Sequence, residues 1–216
     1  MTASSRRPRA ITTATVRVPS TLWAIGPEPP HPDDRWPGPI LARTIAEFSE
    51  PGSRVMLVGW PAPTARGTLR ILEPDTAHAL AAISDLDRHA LDAPTGRDRC
   101  GEPVDLVVAS LLAEHLDPIA AAEHVTTIAT EVLAMGGLLV VLSRCRHSDS
   151  GVLLDPAGSV VAAAQAADLL YLQHIIAAPV SGTTITAADL EDSASRVARH
   201  RVAHTDVFVL LQPAHG

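Results

Sequence analysis

Residues 104–142, VDLVVASLLAEHLDPIAAAEHVTTIATEVLAMGGLLVVL, read as strand, helix and strand. The run 104–109 is short, apolar and announced by Glu102-Pro103, the pattern of a strand buried on both faces. Over 118–133, Ile119, Ala122, Val125, Ile128, Ala129, Val132 and Leu133 fall on one helical face, with Pro118 in the first turn, where it is tolerated. Met135-Gly136-Gly137 stops the helix, and 138–142 is the next buried strand. Two buried strands joined by a helix predict a parallel pair with a crossover.

Upstream, 39–49 carries Ile40, Leu41, Ile45 and Phe48 at helical spacing, and Pro51-Gly52 ends that helix. Residues 54–58 form a buried strand. A second apolar run, 68–72, precedes Glu73-Pro74-Asp75. Residues 76–86 repeat apolar positions with a helical period, and 89–91 make a weak third strand. Downstream, Asp155-Pro156 opens a helix running to about 170, 171–177 alternates as a strand, and 204–211 is the last strand, ended by Pro213. The polar stretch 178–200 is a loop with a short helix at 187–196. The fold class expected is α/β, a Rossmann-like, mostly parallel sheet with helices on both faces. Residues 1–38 are a Ser-, Thr- and Arg-rich arm and a Pro-rich lead-in, and 39–216 the α/β domain. The arm is at most an edge strand. The prolines of 23–38 leave no room for a regular element, although Trp23 and Trp36 need somewhere to pack.

The chain has 216 residues, 46% of them hydrophobic, enough for a sizeable core. All 17 basic residues are Arg, so no amine nucleophile, Schiff base or P-loop lysine exists. Against them stand 24 acidic residues, a net charge of −7, and aromatics are only 3%. Both facts disfavour nucleic acid as a partner. Cys100 and Cys145 make no disulfide framework. No signal peptide or membrane-spanning run is visible, which places the chain in the cytoplasm.

Four segments carry a resemblance: 39–58 (PILARTIAEFSEPGSRVMLV), 105–110 (DLVVAS), 133–142 (LAMGGLLVVL) and 204–213 (HTDVFVLLQP). In order and spacing the chain resembles the class I methyltransferases that use S-adenosylmethionine, in particular the amino-methylating DNA methylases and their tRNA-guanine relatives. The resemblance implies a methyltransferase-like sheet, with cofactor residues after the first strand and a catalytic loop after the fourth.

The departures fall on those two places. In the family, the first strand ends in an acidic residue and a Gly-rich turn that admits the cofactor. Here Gly59-Trp60-Pro61-Ala62-Pro63-Thr64-Ala65-Arg66-Gly67 has no acid, lacks two amide donors and carries a tryptophan. If 68–72 is the second strand, the link from the first is too short for a parallel crossover, so the first crossover helix is expected to be deleted. After the fourth strand the family places a polar residue, Pro, Pro and an aromatic. Ser110 survives here, but Leu111, Leu112 and Ala113 follow it. The resemblance then implies Gly59, Trp60, Gly67, Glu73 and Asp92 as cofactor-side positions, with Glu73 toward ribose and Asp92 toward adenine. Glu73 and Asp92 also read as plain loop carboxylates. On the catalytic side stand Ser110 and His115. His115 follows a central strand, where it could act as a general base or simply begin a helix capped by Asp117.

The expected function is a methyltransferase-fold protein without cofactor or methyl-transfer chemistry, a pseudoenzyme working as a binding or regulatory module through a partner protein or self-association. The alternative is an active S-adenosylmethionine-dependent methyltransferase with a rearranged site, on a small molecule or nucleic acid. Trp23, Trp36 and Trp60 could pack on each other or cover the vacated cleft. His200, His204 and Asp206 lack metal-ligand spacing once 204 begins a strand. Arg144-Cys145-Arg146-His147 reads as a solvated loop rather than an anion site or an activated thiol.

Overall fold

In the computed structural model the apolar runs lie side by side in one seven-stranded sheet. The structure describes residues 21–31, 34–59, 65–66, 69–70, 74–93, 101–112, 117–148, 150, 152–185 and 203–214. The sheet strands are β1 (Leu22–Ala24), β2 (Arg54–Gly59), β3 (His89–Asp92), β4 (Val104–Ser110), β5 (Leu133–Ser143), β6 (Leu170–Ala178) and β7 (Thr205–Leu211). Their order is β1-β6-β7-β5-β4-β2-β3. Every neighbouring pair is parallel except the two made by β7, which is antiparallel to β5 and to β6.

The helices are α1 (Gly38–Phe48), α2 (Pro74–Asp85), α3 (Pro118–Val132) and α4 (Ala157–Ala166). Alternation along the strands sorts the core into two layers. Val55, Leu57, Leu106, Val108, Val140, Val207 and Val209 meet α1 and α2 through Ile40, Leu41, Ile45, Ala79 and Ile83. Met56, Val107, Ala109, Leu139, Val141, Phe208 and Leu210 meet α3 and α4 through Ala122, Val125, Ala129, Val160 and Ala164. The helices thus cover both faces, as expected for the Rossmann-like class.

The 104–142 unit forms as read. Asp117 caps α3, its Oδ1 accepting from the amides of Ile119 (3.0 Å) and Ala120 (3.2 Å). Between α3 and the body of β5, Gly136 sits at φ +81°, and a Cβ on Gly137 would lie 2.9 Å from the Ala134 carbonyl oxygen. That turn needs both glycines.

Three expectations are corrected. Residues 68–72 are not the second strand: Leu69–Arg70 pairs only with Ala65–Arg66 in a two-residue ladder, and the neighbour of β2 is β3. The first crossover helix is therefore present, as α2. Pro74 opens that helix, where its missing N–H costs nothing. Residues 23–38 do contain a regular element, because β1 ends before the first proline and buries Trp23 against Phe48, with the Arg43 guanidinium 4.7 Å over its ring. Finally, α4 stops at Ala166 rather than near 170. Asp168 takes a left-handed conformation (φ 60°), and the Leu169 amide closes back on the Ala164 carbonyl at 2.9 Å. The expected helix at 187–196 lies outside the described residues. No helix among the described residues is long and apolar enough to cross a membrane.

Candidate functional site

The chain leaves β2 to one side for β3 and returns to the other side for β4. The carboxyl ends of β2 and β4 therefore flank the switch-point crevice, where open α/β sheets hold ligands. Gly59 and Ser110 face each other there as register partners. Asp92 closes β3 one strand away, paired with Leu57, and is half-buried. Of the residues expected on the cofactor and catalytic sides, Gly59, Asp92 and Ser110 thus share one edge of the sheet. Trp60, Gly67, Glu73 and His115 lie outside the described residues. Asp92 closes β3, the strand beside β2, the place expected of Glu73.

The chain's own lead-in packs against this edge. The Ser110 hydroxyl, 1% exposed, donates to the Arg35 carbonyl at 2.6 Å. Trp36, 5% exposed, lays its indole beside Gly59: a Cβ there would sit 3.9 Å from the ring carbon Cζ2. Its Nε1–H donates to Thr76 Oγ1 in the first turn of α2 at 3.1 Å, and its own amide donates to Asp34 Oδ1 at 2.9 Å. Arg35 Nε stands 3.9 Å from Asp75 Oδ2. One short strap is thereby fastened to α2 and β4. The tryptophan in the cleft is Trp36; the Trp60 considered for that role is not among the described residues. The loop after β4 is also held, since the Arg146 guanidinium donates to the Leu112 carbonyl.

A second polar centre lies on the same edge but on the opposite face. Asp206 in β7 pairs in register with Ser143 at the end of β5. Its Oδ1 accepts from His174 Nε2 at 2.8 Å and lies 3.4 Å from His204 Nε2. Burial alone would raise the Asp206 carboxyl; the hydrogen bonds and charges of the two histidines outweigh it and hold it below the usual range. The hydrogen bond to Asp206 raises His204 above its usual value against the opposing effect of burial. Burial, Asp155 and Asp206 push the Cys145 thiol up to about 11, so the flanking arginines do not activate it. The sequence offered a sign of this centre: an acid in an otherwise apolar strand must find a donor. Among the described residues no three His, Cys, Asp or Glu side chains are grouped to hold a metal ion.

No protein-family model matches the chain, and no curated protein matches it. Among solved structures it is similar to the N-methyltransferase NodS from Bradyrhizobium japonicum WM9 in complex with S-adenosyl-L-homocysteine, at 13% identity over 81% of this chain and 85% of that one, TM-score 0.45. It is similar to the precorrin-6y C5,15-methyltransferase from Geobacter metallireducens GS-15, at 10% identity over 81% and 88%, TM-score 0.46. It is also similar to a TehB-like SAM-dependent methyltransferase from Corynebacterium glutamicum, at 11% identity over 80% and 86%, TM-score 0.40. The fold is the expected α/β class, a Rossmann-like, mostly parallel sheet with a single antiparallel strand. A fold carries no activity by itself.

Proposed function

We propose that this chain is a methyltransferase-fold protein whose cofactor crevice is closed by its own lead-in, and that it works as a binding or regulatory module without methyl transfer. The observation that carries the reading is the interlock of Trp36, Thr76, Ser110 and the Arg35 carbonyl. A nucleoside between β2 and β4 would have to displace a buried indole, break its hydrogen bond and free a serine whose hydroxyl is already committed. Each buried polar group so released costs about 1–3 kcal/mol unless the ligand replaces its partner. The residues present do not fit the cofactor in this arrangement. Any role is then exercised on a partner protein or a second copy.

A second reading, an active methyltransferase, draws support from Asp92. An acid at the end of the second strand can take ribose hydroxyls, and Gly59 presents no side chain to a ligand. Calorimetric titration with S-adenosylmethionine and S-adenosylhomocysteine separates the two. The closed-crevice reading expects no binding heat up to about 1 mM ligand, and micromolar affinity would replace it with the enzyme reading. Retention on DNA or RNA that weakens with salt would instead point to a nucleic-acid partner; none is expected at this net charge.

A further inference from the structure

The centre around Asp206 is built differently from anything else in the described chain. β7 is buried from Thr205 to Leu210 and apolar except for Thr205 and Asp206 at its start. The Asp206 side chain is 7% exposed, and one of its oxygens receives two imidazoles. His174 comes from the neighbouring strand β6, and its ring is held flat against Phe208, with centroids 4.6 Å apart. His204 stands in the chain just ahead of β7. From the segment after β5 comes Cys145, and from the residues before α4 comes Asp155. The Asp155 carboxylate acts on both His204 and Cys145, favouring the imidazolium and disfavouring the thiolate. The start of β7, the middle of β6 and the segment after β5 thus meet at one carboxylate, and His204 stands just ahead of β7.

We propose that Asp206 is the centre of a pH-sensitive latch: its carboxylate holds His174 of β6 and, just ahead of β7, His204, whose protonation sets how firmly the start of β7 is tied. With His204 protonated, the contact is a charge-assisted hydrogen bond between opposite charges in a partly buried place, roughly twice as strong as a neutral one. When His204 loses its proton, Asp206 keeps its charge but loses the opposite charge of His204, and Asp155 faces an uncharged ring. The folded-state value of His204 is raised, so its contribution is fully present below about pH 6.5 and is lost as pH rises through the raised value. The folded-state value of Asp206 is lowered, so its contribution is present above the ordinary carboxylate value of 3.8 and is lost only as pH falls through the lowered one. The latch is firm in the mildly acidic range and slackens as pH rises through the raised His204 value. Nothing in it depends on whether the β2–β4 crevice is open.

The test uses the full chain. Melting is followed at about pH 5.5 and pH 8.5 for the wild type and for His204→Gln, which keeps an N–H donor but cannot take the charge. The wild type should lose about 2–4 °C more than the variant between the two conditions. Proton exchange of the β7 amides, corrected for intrinsic base catalysis, should rise with pH relative to β4 in the wild type and not in the variant. In the folded protein, the His204 ring should titrate above its ordinary value by NMR, and fall back toward it in Asp206→Asn or, if that variant does not fold, in Asp206→Glu, which lengthens the contact. Equal pH responses of wild type and His204→Gln, or a His204 that titrates at or below its ordinary value, would overturn the latch.

Discussion

The carboxyl edge of the sheet carries two interlocks that differ in kind. At the β2–β4 crevice, a tryptophan, a threonine, a serine and a backbone carbonyl join in neutral hydrogen bonds. At the β5–β7–β6 end, a buried carboxylate gathers two imidazoles. The first sits where the fold conventionally takes a ligand; its bonds through Trp36 Nε1 and Ser110 are neutral, and the carboxylates of Asp34 and Asp75 flank the strap. The second sits on the opposite face and holds the titratable chemistry. The difference teaches that the ligand position of a fold can be spent on packing, while polar chemistry settles where strand ends converge.

The comparison breaks first at Trp36. Replacing it with Ala empties a buried aromatic site and should cost about 3–5 kcal/mol by urea denaturation, equally at acid and alkaline pH. A loss well under 1 kcal/mol would mean that the strap is not part of the core. Next comes Asp206→Asn, which should cost about 1–3 kcal/mol at pH 5.5 and clearly less at pH 8.5, because only the protonated His204 misses the charge. An identical loss at both would dissolve the contrast between the two interlocks. Thr76→Val leaves the indole N–H unpaired and should cost about 1–2 kcal/mol without pH dependence, read from the same denaturation curves. Smallest is Ser110→Ala, about 0.5–1.5 kcal/mol, again flat with pH.

Much of the fold was legible because its signals are local. The runs at 54–58, 104–109 and 138–142 are buried on both faces and bounded by Pro and Gly, so each reads as a strand without knowing its neighbours. The apolar run at 68–72 misled, because an extended apolar stretch reads as a sheet strand whether or not it pairs there, and taking it as the second strand hid α2 as a crossover. β1 was missed because three residues carry no periodicity; its existence depends on pairing with β6, far away in the chain. The site was less legible still. Ser110, Gly59 and Asp92 follow from strand ends, but Trp36 reaches Thr76 across 40 positions and His174 reaches Asp206 across 32. Spacing rules describe neighbours on one helix or strand, and neither contact is of that kind.

The closure of the β2–β4 crevice is tested most directly at the Trp36 indole N–H itself. In 15N-labelled protein, that resonance should exchange slowly with solvent and keep its position as S-adenosylhomocysteine is added to about 1 mM. A shift of that one resonance with a micromolar midpoint, together with faster exchange, would show the strap giving way to a nucleoside and would contradict the closed crevice.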